Sequence, residues 1–327
     1  CDKCPVWRQV CRMFAAKSIV FLFFKHSEAL EDVRLCFLKV FQKTGTYKYN
    51  VAFVVLQLLK EICHRRSVGF VSGKDDMEEN IKFSVVAATP HSQVTLTKAG
   101  DKCTNWSGQP GQSINYISCH DNLTFWDKLA ISNADDSEAD RVKMNKLGSA
   151  VLFTSQGVPF MQAGEEMLRS KPNEKSETGF DENSYSSPDA TNSIKWDNKG
   201  NVMDVYEYYK GLIAFRKAHS ALRMTTAAAI QNNLTFMTGL DANVVAYTIQ
   251  GEVQGETAQN IAVIYNGNPD AVTVNLPAGT WDICVNGKKA GCRSLGTAEG
   301  SVTVEGISAL VLVQGDDTVN KVPAEDA

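Results

Sequence analysis

The chain has 327 residues, 43% of them hydrophobic and 21% charged, which is length enough for two or more domains and a substantial core. Its net charge of −4 gives no electrostatic pull toward nucleic acid or an anionic membrane, and neither is expected as a partner. No apolar run approaches the roughly 20 residues that cross a bilayer.

Composition breaks near residue 68. Residues 1–68 hold 12 Lys/Arg against 5 Asp/Glu, so the remainder carries −11; they also hold five of the nine cysteines but one of the 23 glycines. Cys1-x-x-Cys4 with Cys11 starts a zinc-type spacing, but no second Cys or His pair follows, so no metal site is expected there. MFAAKSIVFLFF (13–24) imitates a signal peptide, yet its apolar core is short and no small-residue cleavage site follows. Cysteine usage does not identify a compartment, and localisation stays unknown. The chain starts at Cys1, and the true N-terminus is expected to be missing.

From Gly69 onward the punctuation is conventional. DMEENIKFSVVAAT (76–89) predicts a helix with an acidic first turn, ended before Pro90. Residues 99–112 read as loop, and INYIS (114–118) as a strand buried on both faces. A short helix follows around 123–131. SEADRVKMNKLGSAVLFTSQG (137–157) predicts a helix capped by Ser137 and terminated by Gly157, with Val142, Leu147, Ala150 and Val151 as its apolar stripe. VPFMQAG (158–164) is a second buried strand, ending at Glu165-Glu166. A polar loop runs to about 200, and 204–222 is a helix that buries Val205, Tyr208, Tyr209, Leu212, Ile213 and Phe215.

That alternation implies parallel strands with crossover helices. After about 223 the period changes. LTFMTGL, NVVAYTIQ, NIAVIYNGN, AVTVNLP, TWDICVNG and SVTVEGISALVLVQ are short strands between Gly, Asn and Pro turns, the pattern of a β-sandwich. Cys284 and Cys292 can close a small loop, the tail from 316 is polar, and no internal repeat is visible.

The chemistry-bearing stretch is His120-Asp121-Asn122, at the end of an apolar strand. In parallel α/β proteins, reactive groups gather where strands meet their following loops. Imidazole, carboxylate and amide side by side suit the paired donors and acceptors of sugar hydroxyls. The other reading is a capping Asp or Asn that starts the helix at 123, with His120 satisfied by backbone.

HDNLTFWDKL (120–129), GVPFMQAGEEMLRSK (157–171), ENSYSSPDATNSIKW (182–196) and YYKGLIAFRKAH (208–219), in that order, closely resemble the α-amylase superfamily. The type I pullulanases, starch-debranching enzymes, are the branch most resembled. GFVSG (69–73) and TPHSQV (89–94) resemble the stretch before the last barrel strands there, so the likeness covers roughly 69–315. It implies α/β plus all-β architecture: the C-terminal part of a (β/α)₈ TIM barrel over 69–222, with INYIS and VPFMQAG as its seventh and eighth strands. An antiparallel β-sandwich over 223–315 and a flexible tail over 316–327 follow.

What the resemblance implies for function is retaining hydrolysis of α-1,6-glucosidic links in pullulan and branched glucans, through two carboxylates about 5–5.5 Å apart. Asp121 matches the family's third acid, a transition-state stabiliser. His120 and Asn122 stand at the neighbouring sugar contacts, and Asp189 at a glucan-contacting position or as a loop cap. Glu165 and Glu166 match a Gly-Glu-Glu stretch, read as a helix start or structural ion pair before substrate contact. Trp126 and Trp196 can stack on sugar, with burial against the barrel the main expectation. The sequons at Asn105, Asn122 and Asn233 are read as chance. An α-glucan is the expected partner and no cofactor is required. Calcium is common in the superfamily, but no cluster of oxygen ligands commits to a site.

Two motifs are missing. The nucleophile belongs in a stretch like G-F-R-F-D and the acid in one like G-E-x-W; neither occurs, and 68 residues are too few for five strand–helix units. TYKYNVAFVV (46–55) echoes the family before the sequence diverges again. Residues 1–68 therefore read as out-of-frame translation or a damaged gene, against a helical replacement domain with helices over 26–43 and 51–66. On either reading the chain is expected to be an inactive fragment of a debranching enzyme. The rival functions are an α-1,4-acting amylase and a non-catalytic α-glucan-binding protein.

Overall fold

The computed structural model describes residues 52–55, 67–99, 104–251, 253–316 and 319. Expectations for Cys1, Cys4, Cys11 and the helix over 26–43 lie outside the described residues.

Three short parallel strands open the fold: β1 (Ala52–Val55), β2 (Ser113–Tyr116) and β3 (Val158–Phe160). Their order is β1-β2-β3, with Phe53 beside Ile114 and Ile114 beside Val158. The strand at 52–55 rules out one continuous helix over 51–66. Three parallel strands, not a closed barrel, are present among the described residues.

Helices flank this sheet: α1 (Glu78–Val85), α2 (Phe125–Ser132), α3 (Glu138–Thr154) and α4 (Met203–Ala218). Helix α1 is shorter than 76–89 because Asp76, Ala87 and Ala88 adopt left-handed backbone, which breaks the helical hydrogen-bond ladder. Helix α3 starts as its sequence dictates, the Ser137 Oγ accepting the Asp140 N–H at 3.1 Å with Glu138 and Asp140 in the positive first turn. Leu147, Ala150 and Val151 are fully buried. The helix stops earlier than Gly157, where Ser155 turns extended. Gly157 instead makes the turn into β3 at φ +90, with a Cβ there meeting the Ser113 carbonyl at 3.1 Å. On α4 the expected apolar side is buried except for Ile213, which is exposed.

Both parallel strands were expected to be buried on two faces, and they are not. The buried side of β2 carries Ser113 and Asn115, while Ile114 and Tyr116 are half-buried. Val158 and Phe160 are 43% and 45% exposed. Since Ile114 pairs with Val158 and Tyr116 with Phe160, these four share one apolar face, the one turned away from the helices. Asn115 makes the opposite face habitable to a polar side chain by donating to the Gln156 carbonyl at 2.7 Å.

The C-terminal part, entered through α5 (Ala227–Asn233), is one six-stranded antiparallel sheet: β4 (Leu234–Phe236), β5 (Val244–Gln250), β6 (Asn260–Asn266), β7 (Val272–Val285), β8 (Thr297–Val304) and β9 (Ser308–Gln314), in the order β4-β5-β6-β9-β7-β8. The expected sandwich is thus a single hydrogen-bonded sheet. AVTVNLP and TWDICVNG merge into β7, with a register shift between Asn275 and Thr280. Pro277, which has no N–H, and Gly279, at φ +107, lie in that irregular stretch.

Alternation along β5, β6 and β9 builds two cores. Val245, Tyr247, Val263, Tyr265 and Val311 join the helices' core. Val244, Ala246, Ile264 and Leu312 pack with Val274 and Trp281 of β7 on the other side. The parts before and after 223 therefore share a core. Gly211 on α4 permits the close approach, since a Cβ there would lie 2.0 Å from the Ala290 carbonyl oxygen. Cys284 and Cys292 are buried free thiols, not a disulfide.

Candidate functional site

Strand β2 delivers its chain into the loop Ser118–Leu123, where the backbone geometry is unusual: Asn122 sits at φ +67. The Asn122 Oδ1 accepts the Leu123 N–H at 2.8 Å, so its amide side chain serves the local turn. Neither Asp121 nor Asn122 caps the next helix. That task falls to Thr124, whose Oγ1 accepts from the Asp127 N–H at 3.1 Å. Asp121 is half-buried and His120 exposed. Among the described residues neither side chain has a hydrogen-bond partner, and His120 is not held by backbone. The capping explanation for this trio is therefore removed.

The loop is fixed from the strand next door. Lys171, almost fully buried, donates from Nζ to the His120 carbonyl at 2.8 Å and the Asn122 carbonyl at 3.2 Å. Its own backbone N–H donates to Asp127 Oδ2 at 2.8 Å, and the Ser170 hydroxyl donates to Asp127 Oδ1. Asp127 is fully buried at the start of α2. Burial pushes its carboxyl up, against the pull of Ser170, the Lys171 N–H and Thr124. Burial and then the Arg169 charge push the Lys171 amine down, while the Asp121 carboxylate pulls it back. One lysine so ties the loops after β2 and β3 together and puts positive charge near Asp121.

Beneath this lies Glu165, 3% exposed. It accepts the Ser118 hydroxyl in a very short contact, and its Oε2 has no hydrogen-bond partner. Burial pushes its carboxyl up to about 8, the Ser118 bond opposing, so at neutral pH it holds a proton. Glu166 is different: its Oε2 accepts the Gly164 N–H at 3.0 Å and closes the turn after β3. The helix-start expectation fits Glu165-Glu166, which begin a single 3-10 turn. Tyr116, at the end of β2, is pushed up to about 12 by burial, with Cys119 and Asp121 adding to it.

Asp189 is not brought to this loop by any contact among the described residues. It is exposed and opens a one-turn helix, 189–192, its carbonyl accepting from Ser193 and Lys195. Asp181, buried, organises the 172–196 loop instead, accepting from the Asn183 N–H at 2.9 Å and the Ser187 hydroxyl at 2.6 Å. Trp196 is 67% exposed, contrary to the burial expected of it, because it stands on this polar loop and not against the strands; Trp126 is partly buried in the core. Lys171, Asp127 and Ser118 were missed by sequence reasoning. The signal for each was only its place in a recognisable stretch: Lys171 ends GVPFMQAGEEMLRSK, Asp127 lies in HDNLTFWDKL and Ser118 ends INYIS.

Comparison with known proteins follows the same division. Residues 230–289 match the family described as "Pullulanase, all-beta domain". Pullulanase of Bacillus subtilis (strain 168) is 36% identical over 214 residues, covering 65% of this chain and 27% of that protein. Among solved structures, pullulanase from Bacillus acidopullulyticus is similar with a TM-score of 0.69 and 40% identity, over 77% of this chain and 28% of that one. Pullulanase from Paenibacillus barengoltzii, solved with maltohexaose and alpha-cyclodextrin, aligns with a TM-score of 0.67 and 34% identity, over 78% and 36% of the two chains. The matched part of the chain is similar to pullulanases, which are glycoside hydrolases. More narrowly, the resemblance is to type I pullulanases, and the chain spans about a quarter of the length of the first of these relatives.

Proposed function

We propose that this chain carries the sugar-binding end of a pullulanase-type (β/α)₈ barrel with its C-terminal β-domain. In the longer protein this end serves hydrolysis of α-1,6-glucosidic links in branched glucans, with retention. The observation that carries the reading is the His120–Asn122 loop: it stands at the carboxyl end of a parallel strand, Lys171 clamps its backbone, and the His120 and Asp121 side chains are left to face a ligand. A carboxylate with adjacent positive charge accepts hydroxyl hydrogen bonds well and is held in one place while it does so.

Asp121 alone does not cleave a glycosidic bond. Retention needs a nucleophile and an acid/base flanking the anomeric carbon, and the sequence shows neither motif. Glu165 does not replace them, being buried and protonated. The chain itself therefore binds α-glucan without turning it over. Exposed Trp196 and Tyr185 give the 172–196 loop flat apolar surfaces of the kind sugar rings stack on.

The test is reducing-sugar release from pullulan, and maltohexaose affinity, for the native chain and for Asp121→Ala, both shown folded by circular dichroism. The expected result is no release from either and binding that weakens several-fold in the variant. Release that vanishes in the variant would overturn the inactive reading and place working carboxylates elsewhere in the chain. Absence of binding in the native chain would overturn the glucan reading.

A further inference from the structure

Away from the His120–Asn122 loop, three metal-binding side chains converge from distant points of the sequence. His219 ends α4, Glu256 lies between β5 and β6, and Asp316 follows β9. The His219 Nδ1 is 3.0 Å from Glu256 Oε1 and 4.0 Å from Asp316 Oδ2, and the three ligand atoms all lie within 4.8 Å of one another. The side chains are 3%, 0% and 0% exposed. We propose that His219, Glu256 and Asp316 hold one divalent transition-metal ion, of the zinc type.

Geometry is the first argument. Ligands at zinc bond lengths in a tetrahedron stand about 3.3 Å apart, and the two measured separations straddle that value. With the third pair also within 4.8 Å, closing onto an ion needs side-chain shifts on the order of 1 Å, not a backbone rearrangement.

Charge is the second. Two buried carboxylates and one imidazole converge here, and their combined charge matches that of a divalent ion. Such an ion takes both carboxylates as ligands together with the neutral imidazole, the form that ligates. The donor set, one nitrogen and two oxygens, suits zinc and its neighbours; calcium takes six to eight oxygens and is a poor match.

The surroundings supply the outer layer such sites use. Glu256 Oε1 accepts the Thr257 and Ala258 N–H groups at 3.0 and 3.1 Å, and Oε2 accepts the Ala221 N–H at 2.9 Å. The carboxylate is thereby locked toward His219. Phe215 packs on the imidazole with ring centroids 4.2 Å apart. An ion at this point pins the end of α4 to the β5–β6 connection and to the segment leaving β9, a structural role apart from sugar binding.

The experiment uses the full chain, stripped with EDTA, desalted and exposed to zinc chloride alone. Retained zinc is measured by atomic emission and thermal melting is recorded with and without the ion. One equivalent should be retained, melting should rise by several degrees, and Asp316→Asn and His219→Gln should each lower zinc affinity about tenfold or more. The cysteines elsewhere in the chain are controlled by Cys1→Ser/Cys4→Ser, which should change neither reading. Should His219→Gln fold poorly, Asp316→Asn decides alone, since it lies beyond the last strand. Retention of only a small fraction of an equivalent by the native chain overturns the proposal, as does full retention by Asp316→Asn.

Discussion

The two sheets of this protein are built on the same two-residue alternation and end in opposite conditions. In the antiparallel sheet both faces are covered: Val245, Tyr247 and Val263 face the helices, and Val244, Ala246 and Ile264 face Val274 and Trp281. The parallel sheet is covered on one side only, and that side is partly polar, through Ser113 and Asn115. Its apolar side, with Ile114, Tyr116, Val158 and Phe160, stays open among the described residues. One part has both faces covered, by the helices on one side and by residues of β7 and β8 on the other. The other positions a loop by polar clamps and leaves hydrophobic surface over. Alternation thus specifies which side chains share a face, while the elements present decide whether that face is buried.

The largest effect is expected where covering is complete. Trp281 is fully buried in the outer core and its Nε1 donates to the Pro277 carbonyl at 3.0 Å, holding the bend of β7. Trp281→Ala should cost about 4 kcal/mol, the usual range for emptying a buried aromatic site, read as a lower urea midpoint at unchanged slope. A loss below about 1 kcal/mol would mean the second layer contributes little and the contrast between the sheets is weaker than drawn.

A smaller effect is expected at the polar end of the parallel sheet. The Glu165 carboxyl titrates near 8 in the folded chain, against an ordinary 4.5. Between those values the folded chain holds a proton that the unfolded chain has lost. The contribution is therefore fully present below about pH 4.5 and fades as pH rises through about 8. About 1.4 kcal/mol per unit of displacement sets only a ceiling, and relaxation and water entry around a buried carboxyl reduce the fall to about 2 kcal/mol. Glu165→Gln removes the titration, so the stability of the native chain relative to the variant should decline from about pH 5 to about pH 8.5. A flat difference across that range would show that Glu165 is hydrated and not sealed beneath the loop.

Much of this was legible in the sequence, for local reasons. Ser137 with acids behind it fixes the start of α3, and the strands after 223 announce themselves by alternation between turns. The His120-Asp121-Asn122 loop was legible because an apolar run ends abruptly in polar groups. Lys171 was not, since its task depends on bringing together two loops 49 and 51 residues apart. Nor was the burial of Glu165 as against the turn-closing role of Glu166: adjacent identical residues differ only in which one points at Ser118. The merging of two predicted strands into β7 was hidden by Pro277 and Gly279, which read as a turn but form a bulge. Trp196 was misjudged because a large aromatic was equated with burial, although its polar loop offers nothing to bury it against.

The smallest effect on stability should come from the open face, and it bears most directly on the comparison. Phe160 is 45% exposed and touches Tyr116 edge-on, with ring centroids 6.3 Å apart. If that face is uncovered in solution, Phe160→Ser forfeits little burial and should leave the unfolding midpoint within about 0.5 kcal/mol of the native chain. It should, however, reduce concentration-dependent association in sedimentation velocity, because four neighbouring apolar side chains around an edge strand form the kind of surface that self-associates. Trp281→Ala makes the opposite pairing, a large loss of stability with association unchanged so long as the chain stays folded. A loss of 2 kcal/mol or more from Phe160→Ser, in the range of emptying a covered site, would mean that another part of the chain lies over the parallel sheet and that its two faces, like those of the antiparallel sheet, are both buried.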